Sequence, residues 1–210
     1  MKRSLSKFLA FAVLGTAIVP TASFALDPYN EMPAGAYEID KTHASLVWKV
    51  DHLGLSDYVA RFTNIDATLD FDPSAPEKST ISVRIDPNSL RTDYPYPEEE
   101  DFDEKLSQGK DWMNSGEFPV ILFESRSVER TGDKTGVMIG DLTFLGMTKS
   151  VSLDVEFNGA FLKKPFSGTP ILGFSATGKI KRSEFGMGAY IPNIGDEVTI
   201  EIEAEFNKAQ

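Results

Sequence analysis

The sequence contains no cysteine and only two histidines. Without cysteine there is no disulfide framework, no thiolate zinc site, no iron–sulfur cluster and no thiol nucleophile. Two histidines, His43 and His52, leave little for a multi-histidine metal centre. Basic residues are scarce as well: 21 Lys and Arg stand against 32 Asp and Glu, a formal charge of −11. That balance argues against nucleic acid or an anionic membrane as partner, since both require clustered Lys and Arg. The chain also lacks an apolar run of the ~20 residues needed to span a bilayer, a Gly-x-Ser-x-Gly nucleophile elbow, an internal repeat and an interdomain linker. Gly186-x-Gly188 has no third glycine and no βαβ context, so it is not a dinucleotide loop.

What is present begins with a leader-like segment. Lys2, Arg3 and Lys7 form a positive stretch, 8–19 is uncharged and mostly apolar, and Pro20 ends the run. Ser23-Phe24-Ala25 supplies small residues around a cleavage site. This pattern predicts a secretory signal peptide over 1–25 and a mature chain over 26–210. Removal of three basic residues and no acidic ones takes the formal charge from −11 to −14. With no cysteine to acylate, the product is expected to be free of a lipid anchor and, with a Sec-type leader, periplasmic. A mature chain of this size forms one domain that buries ~70% of its unfolded surface, enough for stability without disulfides.

The dominant hydrophobic period in 26–210 is two. Leu46, Trp48 and Val50 alternate with polar positions over 45–51. The same pattern recurs over 67–71, 79–85, 119–128, 137–144, 151–157, 173–180 and 198–206. Each reads as an antiparallel strand with one apolar face. Asp72-Pro73, Thr131-Gly132-Asp133, Gly146 and Asn158-Gly159 punctuate them as turns, and Gly140 marks a bend or bulge. One stretch breaks the period: 98–113 lacks β-branched residues, with Phe102 and Leu106 at helical spacing. It predicts a short helix, or two helical turns broken at Gly109. The stretch 158–170, with Pro165, Gly168 and Pro170, predicts a long loop. Eight amphipathic strands and one helix make the chain all-β, a barrel or a two-sheet sandwich, and the longer strands favour the barrel because closure removes exposed edges. Eight strands enclose either a side-chain-filled core or one small ligand, and periodicity does not distinguish the two.

The order of local motifs resembles a known family. Tyr37-Glu38-Ile39-Asp40 and Thr42-His43-Ala44-Ser45 are followed by His52-Leu53-Gly54, then Phe62 and Phe71-Asp72-Pro73. Beyond the helix come 118–125 (FPVILFES), 140–149 (GDLTFLGMTK), 181–187 (KRSEFGM) and 195–198 (GDEV). Together they resemble the YceI-like family of bacterial periplasmic lipid-binding proteins over about 35–206. The chain departs from that family where Val59-Ala60-Arg61 precedes Phe62 in place of a Gly-x-Phe sequence. The resemblance implies an eight-stranded, lipocalin-like barrel with an elongated apolar cavity for a polyisoprenoid, an isoprenoid quinone or a similar long lipid. It implies no catalysis, no metal and no cofactor other than the bound lipid.

On that footing Leu46, Trp48, Val50, Leu69, Phe71, Val83, Phe123, Leu142, Phe144 and Phe174 are expected to line the cavity, with Phe102 and Trp112 at its closed end. Each also fits an ordinary filled core. His52 shares the parity of Leu46, Trp48 and Val50, which would point it into the barrel mouth toward a lipid head group. The alternative is a histidine bonded to backbone or carboxylate groups. His43 has the opposite parity, so the two do not share a metal on an unbent strand. Arg182 stands either near a head group or as a structural pin for the Ser183–Gly186 turn. The acidic run from Glu98 to Glu104 reads as a solvated helix N-terminus, where carboxylates favour the macrodipole. A reading from another class keeps the barrel filled and uses the acidic 95–104 segment to recruit a partner protein. A homodimer is compatible with an exposed mouth, but no patch in the sequence specifies one.

Overall fold

Alternating apolar and polar residues fold here into one continuous antiparallel sheet that closes on itself. The structure is a computed structural model and describes residues 27–210. The predicted signal peptide over 1–25 lies outside the described residues. The strands are β1 (Gly35–His52), β2 (Ser56–Phe62), β3 (Ile65–Phe71), β4 (Thr80–Ile85), β5 (Leu90–Arg91), β6 (Ile121–Arg130), β7 (Thr135–Phe144), β8 (Met147–Phe161), β9 (Ile171–Lys181) and β10 (Ile194–Lys208). Among the described residues one α-helix, α1 (Phe102–Gln108), precedes β6. Hydrogen bonding runs β10-β9-β8-β7-β6-β4-β3-β1, and β1 pairs again with β10 to shut the ring. β2 and β3 lie end to end along the same side of β1, facing its C-terminal and N-terminal halves respectively. They therefore occupy one strand position, and the barrel has eight.

The alternation sets what faces inward. In β3, Ile65, Ala67, Leu69 and Phe71 are buried while Asp66, Thr68 and Asp70 are exposed. β1 needs an irregularity to keep its apolar residues inside. Ile39 pairs with Phe206 but Ala44 pairs with Ala204, so five positions on β1 cover two steps on β10. This wide bulge carries Asp40, Lys41, Thr42 and His43. It changes the inward parity from Tyr37 and Ile39 to Leu46, Trp48 and Val50, as any odd insertion does in a strand of period two.

Several expectations change in detail. β1 starts ten residues before the 45–51 strand, and the 56–62 segment, unassigned from the sequence, is the strand β2. The 158–170 loop is shorter, because β8 continues to Phe161. The register shift near Gly140 sits on β6 between Ser125 and Ser127, with Gly140 and Ile139 opposite. The helix ends at Gly109 as predicted: Gly109 N–H donates to the Lys105 carbonyl, and two further turn bonds carry the chain through Trp112 and Asn114.

Candidate functional site

Inward-facing side chains do not fill the barrel. Two apolar chambers lie along its interior, one of about 240 Å³ and one of about 140 Å³. A water needs roughly 10–15 Å³ by this kind of measure, so the larger chamber has room for many, yet offers them almost no polar partner. Leu69, Phe71, Val83, Phe123 and Phe174 line the wide chamber. Trp48, Val50, Trp112, Phe144 and Arg182 border the narrow one. Leu46 and Leu142 line both. Twelve of the fourteen residues expected from the sequence thus border the interior.

The two that do not are His52 and Phe102. His52 shares the parity of Val50, but the register against β10 shifts between Val50 and His52, and His52, paired with Ser56 and Ile194, is exposed. Phe102 packs outside the chambers against Tyr94 and Tyr58, at ring-centroid distances of 5.2 and 6.0 Å. One turn further along α1, Leu106 takes the inward place, joined by Met113 and by Met187 from the β9–β10 connection. Alternation on β10 also carries Val198, Ile200, Ile202, Ala204 and Phe206 inward, a signal present in the sequence but not used there to assign lining residues. Nothing periodic marks Met187.

Arg182 borders the narrow chamber, and four of its five N–H donors are held by backbone carbonyls. It is 3% exposed. Nε donates to the Gly195 carbonyl at 2.7 Å, Nη1 to Met187 at 3.1 Å, and Nη2 to Ala189 and Ile194 at 2.8 Å each. Burial pulls its pKa below the usual guanidinium value, and the nearby Asp196 carboxylate opposes that shift. The residue pins the β9–β10 connection, the structural alternative for this position. Trp48 Nε1 is buried without a hydrogen-bond partner. The narrow chamber presents no polar surface, so this N–H is covered by neighbouring side chains and does not open into the chamber.

Most of the polar residues bordering the wide chamber gather near one end, while Ser45, Ser175 and Glu203 border it from within β1, β9 and β10. Tyr29, Ser79, Thr80, Arg130, Asp133, Lys134 and Thr135 border the wide chamber near the β3–β4 and β6–β7 turns. Tyr29 lies under the Arg130 guanidinium, 5.7 Å from its ring centroid, and meets Phe157 edge-on at 5.9 Å. The opposite end is closed by Leu106, Trp112 and Met113, with Tyr190 stacked on Trp112 at 6.0 Å.

The remaining titratable cluster lies on the β1 bulge. Asp40, His43 and Glu205 bring ligand-type atoms within 4.8 Å of one another. Lys164 Nζ donates to Asp40 at 3.2 Å and to Glu205 at 2.8 Å, so a side-chain ammonium already supplies the cation. Burial raises the Asp40 pKa, but hydrogen bonds from Thr42, His43 and Lys164 outweigh it and hold the carboxyl well below its usual range. In the acidic segment, Asp101 caps α1 by accepting from Glu104 N–H at 2.8 Å, and Asp103 accepts from Thr92 N–H and Oγ1 at 2.7 and 2.6 Å. No helix among the described residues is long and apolar enough to cross a membrane.

A family profile for the YceI-like domain matches residues 37–206. The UPF0312 protein of Pseudomonas putida strain F1 is 34% identical over 202 residues, covering 94% of this chain and 97% of that one. The crystal structure of the Campylobacter jejuni YCEI protein superposes with a TM-score of 0.66 at 30% identity, over 76% of this chain and 90% of that chain. A polyisoprenoid binding domain from Saccharophagus degradans, implicated in plant cell wall breakdown, shares the fold with a TM-score of 0.57 at 14% identity, over 83% of this chain and 99% of that chain.

Proposed function

The chain belongs to the YceI-like domain family, and on that footing we propose that it binds a long-chain isoprenoid lipid, a polyprenoid or an isoprenoid quinone, inside the barrel. The observation that carries this reading is the hollow, largely apolar interior, with most of its bordering polar residues near one rim. A linear hydrocarbon with a polar head matches that distribution, with the head at the Tyr29 and Arg130 end and the tail toward α1. Burial of about ten CH₂ groups at ~0.8 kcal/mol each contributes about 8 kcal/mol gross, part of which the cost of association offsets. Tight binding therefore needs few polar contacts, and the protein acts as a carrier or sequestering agent without catalysis. The 1–25 leader would place the mature 26–210 domain in the periplasm. An open interior also favours this reading over a filled barrel that only recruits partners.

Native mass spectrometry of the purified mature protein, followed by organic extraction, tests the proposal. A co-purifying long-chain lipid near one-to-one is expected. Its repeated absence, together with no uptake of added quinone or polyprenol, overturns the reading.

A further inference from the structure

We infer that the barrel holds two hydrocarbon subsites in series, and that the constriction between them measures the length of the isoprenoid chain. This rests on the carrier reading above. Leu46, Ile85, Leu142, Ile180 and Ile200 border both chambers. They come from β1, β4, β7, β9 and β10, five of the eight strand positions, so they form a ring around the interior and not a patch on one wall. All are branched aliphatic side chains able to change rotamer, so a flexible chain that reaches from one chamber to the other runs against them.

The two sides of this ring differ in chemistry. The wide chamber opens toward the polar rim, whereas the narrow chamber offers no polar surface and ends against Leu106, Trp112 and Met113. The narrow chamber therefore accepts only hydrocarbon, which for an isoprenoid is the terminal methyl-branched units. A short chain occupies the wide chamber alone. A longer one reaches through the ring and removes additional apolar surface from water, until the α1 end stops it. Affinity should rise with each isoprene unit and then level off at the length that fills both chambers.

The test is binding of a series of all-trans prenyl alcohols, differing by single isoprene units, to the mature protein. Wild type is compared with Val198→Phe, which fills the narrow chamber, and Ile200→Ala, which widens the ring. Ile194→Phe serves as a second filling variant should Val198→Phe fail to fold by circular dichroism. The expected result is that the filling variant bind short prenols with unchanged affinity and lose tenfold or more for the longest ones. Ile200→Ala should reach the plateau without the barrier the ring imposes, seen as faster uptake of long prenols. Length-independent affinity in wild type, or the same length profile in the folded filling variant, overturns the inference while leaving the carrier reading intact. Uptake of no prenol at any length overturns both.

Discussion

The ring of Phe123 on β6 lies against the bare Cα of Gly140 on β7, where a methyl group would overlap its Cε2 and Cζ atoms. Phe123 pairs directly with Leu142, and Gly140 is the next inward position along β7. An aromatic wall residue of the wide chamber is thus seated by the absence of a side chain on its neighbour. Gly140→Ala is expected to push the ring toward the chamber. Overpacking of this kind lowers stability by about 1–3 kcal/mol. Urea denaturation measures the loss, and lipid loading of the folded variant should fall as the chamber shrinks.

Arg182→Lys should destabilise the protein by about 3 kcal/mol or more, because one ammonium cannot reach the four carbonyls that the guanidinium joins, and hydrogen bonds to charged groups each contribute roughly 1.5–3 kcal/mol. The segment 186–193 should become the first site of proteolysis. Head-group preference of the folded variant should stay as in wild type, since backbone carbonyls of the β9–β10 connection engage four of the five Arg182 N–H groups. A changed preference would return Arg182 to the ligand site.

Tyr37 is fully buried, and its hydroxyl donates to the Pro33 carbonyl at 2.7 Å. Burial pushes its pKa from 10.0 up to about 12. The folded state therefore holds the proton more tightly than the unfolded chain. Stability from this group is complete below pH 10.0 and is lost as pH rises toward about 12. Denaturation midpoints measured across that window should fall more steeply for wild type than for Tyr37→Phe.

Asp40 gives the opposite dependence. Its folded pKa lies below the ordinary 3.8, so its contribution is present above that pH and is lost as pH falls below it. Asp40→Asn should be less stable than wild type at neutral pH, and the difference should shrink as both are acidified below 3.8. A gap that persists unchanged in acid would mean that the negative charge of Asp40 does not stabilise the fold.

The regular walls of the barrel are written in the sequence more plainly than its irregular parts. The alternation from Val198 to Phe206 reads directly as β10, because one face is apolar and the other is Thr and Glu. Ser56–Phe62 escapes notice because small Ala60 and half-buried Tyr58 are its weak inward signal, set beside exposed Val59. Parity places Leu46, Trp48 and Val50 correctly but misplaces His52, since the register against β10 shifts between Val50 and His52. Helical spacing finds Phe102 and Leu106 together but not which of them points inward. The bulge at 40–43 depends on pairing with Phe206 and Ala204, far along the chain. Whether apolar strand faces meet or leave a void is likewise a matter of side chains distant in sequence, such as Leu46 and Ile200, and residue type alone does not carry it.

The seam between β1 and β10 joins the first strand of the barrel to the last, from Tyr37 opposite Lys208 to His52 opposite Ile194. A chain still lacking β10 leaves the edges of β1 and β9 unpaired and both chambers without one wall. Closure of so distant a pair carries a large loop entropy and tends to come late. The enclosed interior thus does not exist in a chain that lacks β10. It is completed when the final strand docks between β9 and β1, so the proposed carrier role belongs to the closed barrel alone.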